Sequence, residues 1–322
     1  MRVSYKLRFY ASLVFALVFL AACMADATDG REKVPVAGYR AVVFGEDAFV
    51  AVGDEGRIDR LLPDAVEAER LKSPVSSRLN AVSYAGGRYF CVGDGGVVAL
   101  SSGRELNFVA VDTGVKKEDL LSVAGIKGYV FAGGKNGQLL RSKDGDDWEI
   151  VPNGFTTDII SMASNGARLF AITREGQIYT TTDGQNVTVR DYNAELKGDN
   201  PTTYSFGGIS SLGGMFVITG AADDADATPV IMTSGTGEEW SPRSIQEIDK
   251  KPLEAALPLK IGGMALLKSE MVSPANGTKL LTVAECSACN TLNKTTDFNI
   301  LSMAYNAETL LLVGEGYRFK FL

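Results

Sequence analysis

The chain has 322 residues, of which 32 are Lys or Arg, 39 are Asp or Glu, and none is His. This length fits one large domain or two ordinary ones, and a charged fraction of 22% with an aromatic fraction of 9% is typical of a globular protein. The lack of His excludes Ser-His-Asp and Cys-His nucleophile systems and His-ligated zinc, and the net charge of −7 argues against nucleic-acid binding, which needs clustered Lys and Arg.

The first 22 residues have the features of a secretory signal peptide. Arg2, Lys6 and Arg8 form a positive region, and an apolar run follows at residues 9–20. This run is shorter than the roughly 20 apolar residues that span a bilayer, and it fits the hydrophobic region of a signal. Residues 20–23, Leu-Ala-Ala-Cys, resemble the bacterial lipobox, in which the Cys is lipidated and becomes the new N-terminus.

The lipobox resemblance implies that Cys23 is lipidated and that the mature chain begins there. The alternative is a plain signal cleaved after Ala22, which leaves Cys23 as a free thiol. Cleavage removes three positive charges and no negative ones, which takes the formal net charge from −7 to −10. Two or more acyl chains anchor a protein stably, and Met24 in place of Asp resembles the enterobacterial signal for the outer membrane. We therefore expect a protein of the bacterial cell envelope, lipid-anchored to the outer membrane.

A repeat of about 40 residues fills the rest of the chain. Four segments align without gaps, and their shared glycines, Gly56, Gly96, Gly137 and Gly176, are 40, 41 and 39 residues apart. An apolar run precedes each segment, and looser copies follow towards the C-terminus. Short strands separated by Gly, Asp and Asn turns indicate an all-β protein, and this period matches a four-stranded propeller blade.

Seven such units fit into residues 34–322, so the sequence predicts an all-β, seven-bladed β-propeller with four-stranded antiparallel blades. The last unit supplies only three strands. We expect the N-terminal strand at residues 33–37 to complete the last blade by pairing with residues 317–322, since Pro35 suits an edge strand. The predicted organisation is a lipoprotein signal in residues 1–22, a lipidated N-terminus and short linker in residues 23–33, and the propeller in residues 34–322.

A second motif follows several repeats. Residues 142–148 match the Asp-box pattern S-x-D-G-x-x-W, and residues 181–187 and 234–240 are degraded copies in the same register. The chain thus resembles the Asp-box (BNR) β-propellers, and more narrowly the photosystem II stability/assembly-factor-like propellers. Asp-box side chains bond the backbone of their own turn, so we expect a structural role, with direct binding as the alternative. The box residues are Ser142, Asp144, Gly145, Trp148, Asp183, Gly184, Gly237 and Trp240.

The cysteines and one acidic loop offer further candidate sites. Cys286 and Cys289 are spaced Cys-x-x-Cys, and in an oxidising compartment we expect them to form a disulfide; two free thiols and a redox site are the alternatives. Cys91, in an apolar run, is expected to remain a buried thiol. Residues 221–227 carry three Asp, for which a solvated acidic loop is favoured over a Ca²⁺ site. We predict no metal and no cofactor.

The turns between second and third strands share one propeller face with the turns between blades. On this face Lys116, Lys117, Lys135 and Arg174 form a basic sector, whereas other turns, with Asp54 and Asp94, are acidic. Ordinary surface charge is the alternative to a docking face for a protein partner. The family resemblance implies an assembly or stability factor, although nothing in the sequence points to a photosystem.

The sequence thus predicts a non-catalytic outer-membrane lipoprotein, a propeller scaffold that docks a membrane-associated protein or assembly. The alternative is a glycan-active enzyme, sialidase-like or a lyase, working at the central channel. Tyr39 and Arg40 are weakly similar to the N-terminal arginine motif of sialidases, but the Ile-Pro that follows there is Ala41-Val42 here. Carboxylates clustered with arginines at the channel mouth would favour the enzyme, and small apolar channel residues would favour the scaffold.

Overall fold

Short apolar runs separated by glycine-containing turns form antiparallel strands in the computed structural model, as the periodicity predicts. The structure describes residues 36–102, 105–114, 118–195, 202–212, 215–225, 229–244, 253–259, 263–268, 280–284, 288–292, 298, 300–306 and 308–321. Of these, residues 102, 212, 229 and those between 241 and 297 are described by their backbone alone.

Six four-stranded sheets follow one another along the described chain, and we call them blades one to six. In each blade the strands pair antiparallel in sequence order. Blades one to three comprise β1 (Tyr39–Gly45), β2 (Ala48–Gly53), β3 (Ile58–Leu61) and β4 (Glu69–Arg70); β5 (Leu79–Ala85), β6 (Arg88–Gly93), β7 (Val98–Ser102) and β8 (Asn107–Val111); and β9 (Leu120–Ile126), β10 (Tyr129–Gly134), β11 (Leu139–Lys143) and β12 (Trp148–Ile150).

Blades four to six are built in the same way, and a helical turn, α1 (Tyr192–Glu195), follows blade four. Their strands are β13 (Ile159–Ser164), β14 (Leu169–Thr173), β15 (Gln177–Thr181) and β16 (Thr188–Asp191); β17 (Tyr204–Leu212), β18 (Met215–Ala222), β19 (Pro229–Ser234) and β20 (Ser241–Ser244); and β21 (Leu253–Leu259), β22 (Gly263–Lys268), β23 (Leu280–Ala284) and β24 (Ala288–Leu292).

A closing sheet of three strands, β25 (Ile300–Tyr305), β26 (Leu310–Gly314) and β27 (Arg318–Phe321), lies between blade six and blade one. The first strand of each sheet contacts the first strand of the next, and β25 contacts both β21 and β1. The first strands therefore form a ring around a central channel, which confirms the prediction of an all-β propeller.

The prediction of seven four-stranded blades is wrong, because the described residues form six such blades and the closing sheet has three strands. Residues 33–35 of the N-terminal strand that was expected to complete this sheet lie outside the described residues, so its pairing with residues 317–322 stays a prediction. Next to them, Gly38 forms an isolated antiparallel bridge with Glu315, and the Gly316 N–H donates to the Ala37 carbonyl over 2.8 Å. The chain enters β1 directly after this bridge.

The hydrophobic core lies between neighbouring sheets. Phe90 and Leu100 of blade two pack with Leu120, Val130 and Leu140 of blade three in one buried cluster. Similar clusters join blades one and two, blades three and four, blades four and five, and blade one with the closing sheet. The blades are therefore held together by apolar burial, the dominant favourable term in folding.

Side chains also join the closing sheet to blade one. The Tyr317 hydroxyl donates to the Asp54 carbonyl over 2.9 Å, and the Arg57 guanidinium lies 4.7 Å from the centre of the Tyr317 ring. Tyr39 meets the same ring edge-on at 5.4 Å and donates its hydroxyl to the buried carboxylate of Asp59. Tyr317 is thus the main polar link across this junction in the described part of the chain.

Candidate binding face and central channel

The turns between second and third strands meet the segments that lead into first strands. In blades one, two, three and five, a backbone N–H of this turn donates to the carbonyl just before the first strand of the same blade. The repeat therefore brings these two sets of turns to one side of the propeller, which we call the charged face. The pairs in blades one to three are Asp54 to Gly38 (3.0 Å), Asp94 to Arg78 (3.0 Å) and Lys135 to Asp119 (2.9 Å).

Asp54 is the most enclosed carboxylate of the charged face, with 10% of its side chain exposed. It accepts hydrogen bonds from the Gly38 N–H at 2.9 Å, from Arg40 Nη2 at 2.9 Å and from Arg78 Nε at 2.6 Å. Burial by itself raises the pKa of Asp54, but the Arg40, Gly38 and Arg78 donors outweigh it and hold the pKa below its ordinary value. Asp54 is therefore ionised, and it positions two arginines.

The polar contacts continue from blade two to blade three. Asn80 Nδ2 donates to Asp94 Oδ1 at 2.8 Å and to the Leu120 carbonyl at 2.9 Å. Asp119 accepts from Lys135 Nζ at 2.6 Å and from the Gly95 N–H at 2.8 Å. The hydrogen bond from Lys135 holds the pKa of Asp119 below its ordinary value.

A further contact reaches towards blade four, where the Asn136 N–H donates to Asp158 Oδ1 at 3.0 Å. One network of ion pairs and hydrogen bonds thus crosses blades one to four on this side of the propeller. Hydrogen bonds from one blade position charged side chains of the neighbouring blade, so these side chains have defined positions on the charged face.

The predicted docking residues fall on this face where the structure describes them. Asp54, Asp94, Lys135 and the exposed Arg174 all lie in turns between second and third strands. Lys135 is paired with Asp119, and Arg78 bridges Asp54 and Asp94, so the described face alternates in sign. Lys116 and Lys117 lie outside the described residues, and the continuous basic sector stays a prediction.

The first strand of every sheet carries a β-bulge near its start, and bulges bend a strand and re-aim its side chains. In blades one and two the bulge residues, Arg40 and Asn80, reach the charged face. In blades three and four they are Leu121 and Ile160, which line the central channel. The sequence analysis did not predict these bulges. In blades one to four they could be indicated by a polar or bulky residue at the same position of each repeat.

The channel contains two connected chambers. The upper chamber, nearer to the charged face, has a volume of about 250 Å³ and an uncharged lining of Ala, Gly, Ser and apolar side chains. The lower chamber has a volume of about 730 Å³ and reaches the hairpins between first and second strands. Both chambers share a collar of Val82, Val123, Met162, Ile209 and Ser210. The upper chamber has the small and apolar lining that favours a scaffold over a glycan-active enzyme, whereas the lower chamber also includes Arg88, Lys127 and Asp144. Arg40 is engaged with Asp54.

Serine hydroxyls in the first strands link neighbouring blades. Ser302 Oγ accepts from the Val42 N–H at 3.3 Å, and Ser161 Oγ accepts from the Ile209 N–H at 3.2 Å. Ser122 Oγ donates to the Ile159 carbonyl at 3.3 Å. These bonds give hydrogen-bond partners to backbone groups on the channel-facing edges of the first strands. Ser at the same position of three repeats could have indicated them, but the sequence analysis did not consider it.

The Asp boxes bond their own turns and also touch the preceding blade. Ser142 Oγ accepts from the Gly145 N–H at 2.9 Å, and Trp148 Nε1 donates to the Gly145 carbonyl at 2.9 Å. Gly145 has a φ of 97° and lies so close to the Phe90 ring of blade two that a Cβ would collide with it. Gly184 against Tyr129 and Gly237 against Phe170 repeat this contact.

Arginines of the preceding blade complete these turns, which the sequence did not reveal. The donors and the carbonyl acceptors are Arg88 Nη1 and Asp144 (2.9 Å), Arg141 Nη1 and Gln185 (2.7 Å), and Arg190 Nη1 and Glu238 (2.6 Å). In the second box Asp183 Oδ1 accepts from the N–H groups of Gln185 and Asn186, both at 2.8 Å. The bonds from Asn186 and Gln185 hold the pKa of Asp183 far below its ordinary value.

The other predicted sites have different outcomes. Cys91 is a buried free thiol whose pKa is raised by burial. Cys286 lies outside the described residues and only the backbone of Cys289 is described, so the disulfide stays a prediction, as does the lipidation of Cys23, which is also outside them. In the acidic loop, Asp223 accepts from the Thr203 hydroxyl at 3.0 Å.

Two searches of the described residues found nothing. They contain no group of three or more metal-ligating Cys, Asp or Glu side chains. Within the same residues, no helix combines the length and hydropathy needed to cross a bilayer.

Comparison with known proteins found a matching family model and similar solved structures. A sequence model of the DUF6242 beta propeller domain matches residues 68–257, more than half of the chain. The structure is similar to that of "YCF48 bound to D1 peptide", with a TM-score of 0.67 at 13% identity over 89% of this chain and 92% of that chain. It is also similar to YCF48 from Cyanidioschyzon merolae, with a TM-score of 0.66 at 12% identity over 89% and 96% of the two chains. No curated protein sequence matches the chain. Identities this low show a common fold alone.

Proposed function

The chain belongs to the DUF6242 beta propeller family, and from its charged face we propose that it is a non-catalytic scaffold that docks a membrane-associated protein or assembly. The observation that carries this proposal is the network across blades one to four. Its outer members, Arg78, Asp94 and Lys135, keep 45%, 40% and 48% of their side chains exposed while ion pairs hold them in place. Because these side chains are already ordered, a partner with complementary charges can bind them with little further loss of side-chain entropy.

The similar fold of YCF48 adds support of a different kind. That propeller is described as bound to D1 peptide, so a propeller of this shape can hold a polypeptide. The present chain lacks the sequence similarity that would identify its partner. We therefore propose a polypeptide partner whose charges complement the charged face, and the sequence of that partner has to be found by experiment.

We also propose that the protein is exported and held at a bacterial membrane. The signal-like residues 1–22 and the lipobox support export and a lipid anchor in the outer membrane of a bacterium. A partner that is itself associated with the membrane would then meet the propeller at a high effective concentration. The linker of residues 23–33 is short, which keeps the propeller near the bilayer.

Site-specific crosslinking in intact cells tests the docking face. A photo-crosslinking amino acid is placed at Glu55 or at Glu175, two exposed turn positions of the charged face. Lys143, an exposed position within the Asp box of blade three at the other ends of the strands, is the matched control. We expect one partner to be captured from both turn positions and not from the control. Capture that is equal at Lys143, or different proteins at every position, would contradict the proposal.

A further inference from the structure

At two positions next to the collar, alanine replaces the serine whose hydroxyl accepts a backbone N–H at two other places in the ring. Val42 and Ile209 donate their N–H groups to serines of the preceding sheet, Ser302 and Ser161. Val82 and Val123 occupy the same register position, since each pairs with the equivalent residue of its second strand after the bulge. The residues that would serve them, Ala41 and Ala81, have no hydroxyl.

Both donors lie where the channel is open. Val82 and Val123 line the upper and the lower chamber, together with Ala81 in the upper one. A buried amide that is left without an acceptor costs about 1–3 kcal/mol, so such groups are normally satisfied by water or by a ligand. The wall formed by β5 and β9 therefore offers two main-chain donors to whatever enters the channel.

The rest of the lower chamber indicates the chemistry of that occupant. Val82, Val123, Met162 and Ile209 form an apolar collar. The wall below it combines Gly and Ser with Tyr84, Tyr129, Arg88, Lys127 and Asp144. The volume of about 730 Å³ is within the usual range of a ligand site. The occupant must combine acceptor oxygens with apolar groups, and it must be narrow enough to enter the channel and reach from β5 to β9.

We propose that the lower chamber and the collar bind an extended polypeptide segment, whose carbonyl oxygens accept from the N–H groups of Val82 and Val123. An extended chain presents carbonyls along its length and side chains with a period of two, so small apolar side chains can pack on the collar. Pairing of this kind is the main-chain chemistry of strand addition. The collar lies between the two chambers, and the lower chamber reaches the hairpins away from the charged face, so this site is separate from the docking proposed above.

The test uses peptides selected from a displayed random heptapeptide library on the full-length, detergent-solubilised protein. The double variant Ala41→Ser/Ala81→Ser supplies the missing hydroxyls, which then compete with the peptide for both amides. We expect its affinity for the selected peptides to fall about tenfold, the scale of one lost hydrogen bond or slightly more. Lys135→Glu/Arg174→Glu, on the charged face, is the matched control and should bind the peptides unchanged.

Hydrogen exchange gives a second measurement that needs no variant. A bound peptide should slow exchange of the Val82 and Val123 amides in the wild-type protein, with no change at Val42, which already donates to Ser302. Peptides that bind without protecting these amides would overturn the proposal, as would a selection that retains no peptide. Peptides lost only in the charged-face variant would overturn it too, while leaving the docking face in place.

Discussion

Trp148 acts at the scale of a single side chain on the junction of two blades. It packs against the cluster shared by blades two and three and donates to the Gly145 carbonyl of its own turn. Trp148→Ala should lower the free energy of unfolding by about 3 kcal/mol, as for other packed aromatic side chains. Denaturant unfolding measures this, and Trp148→Phe should retain most of the stability. A stable Ala variant that loses a partner would instead make the box a binding element.

Asp54 gives a pH-dependent contribution with a defined sign. Its folded-state pKa is below the ordinary value of 3.8, so its stabilisation is complete above that value and is lost as the pH falls through the folded value. Asp54→Asn should be less stable by about 2 kcal/mol at neutral pH, since it weakens bonds to two arginines. The difference between the two proteins should narrow as the pH falls below 3.8. A difference that is constant with pH in denaturant unfolding would contradict this assignment.

Cys23 is the residue on which the predicted location depends. If the lipobox is used, the wild-type protein should incorporate a fatty-acid analogue and sediment with membranes, because several acyl chains anchor a protein stably. Cys23→Ser should lose both properties, whereas Cys91→Ser, which changes a buried thiol, should keep them. Equal labelling of wild type and Cys23→Ser would rule out the lipid anchor.

The closing sheet is the element on which integrity of the ring depends. Phe319 and Phe321 of β27 pack against the cluster that joins this sheet to blade one. Deleting residues 318–322 would remove this packing and expose the edge of β26, which favours aggregation. Lys320→Ala changes only an exposed side chain of the same strand and should melt like the wild type. A soluble truncated protein with an unchanged cooperative transition would show that ring closure does not need β27.

Local signals predicted the strands and turns well, but they did not predict the number of four-stranded blades. Gly56, Gly96 and Gly137 mark turns with φ near 70°, a conformation that glycine adopts without cost, so a single sequence reveals their spacing. The partner of a last strand is instead decided by contacts distant in the sequence. The junction depends on Tyr317 meeting Arg57 and Asp54, and no repeat predicts that contact.

The whole ring also determines which polar groups are available for binding. The sequence placed Asp54 on the charged face, but its ion pair with Arg78 of the next blade needs the inter-blade geometry. The serines of the first strands and the arginines behind the Asp boxes were missed for the same reason, since each bonds a neighbouring blade. A repeat defines the position of a residue within its blade, and only the assembled ring defines its partners.

The docking face leads to a prediction about the molecule as a whole. Lys135 and Arg174 add positive charge to the turns of a strongly acidic chain, and complementary charges mainly raise association rates and are screened by salt. Lys135→Glu/Arg174→Glu should therefore slow association with a captured acidic partner and flatten its salt dependence. The melting temperature should change little, because the pair of Lys135 and Asp119 is exposed and exposed ion pairs add little to stability. Lys143→Glu/Lys320→Glu makes the same total charge change at two exposed positions outside the charged face and should leave the association rate unaltered. Equal slowing by both variants would mean that net charge, rather than this face, steers the partner.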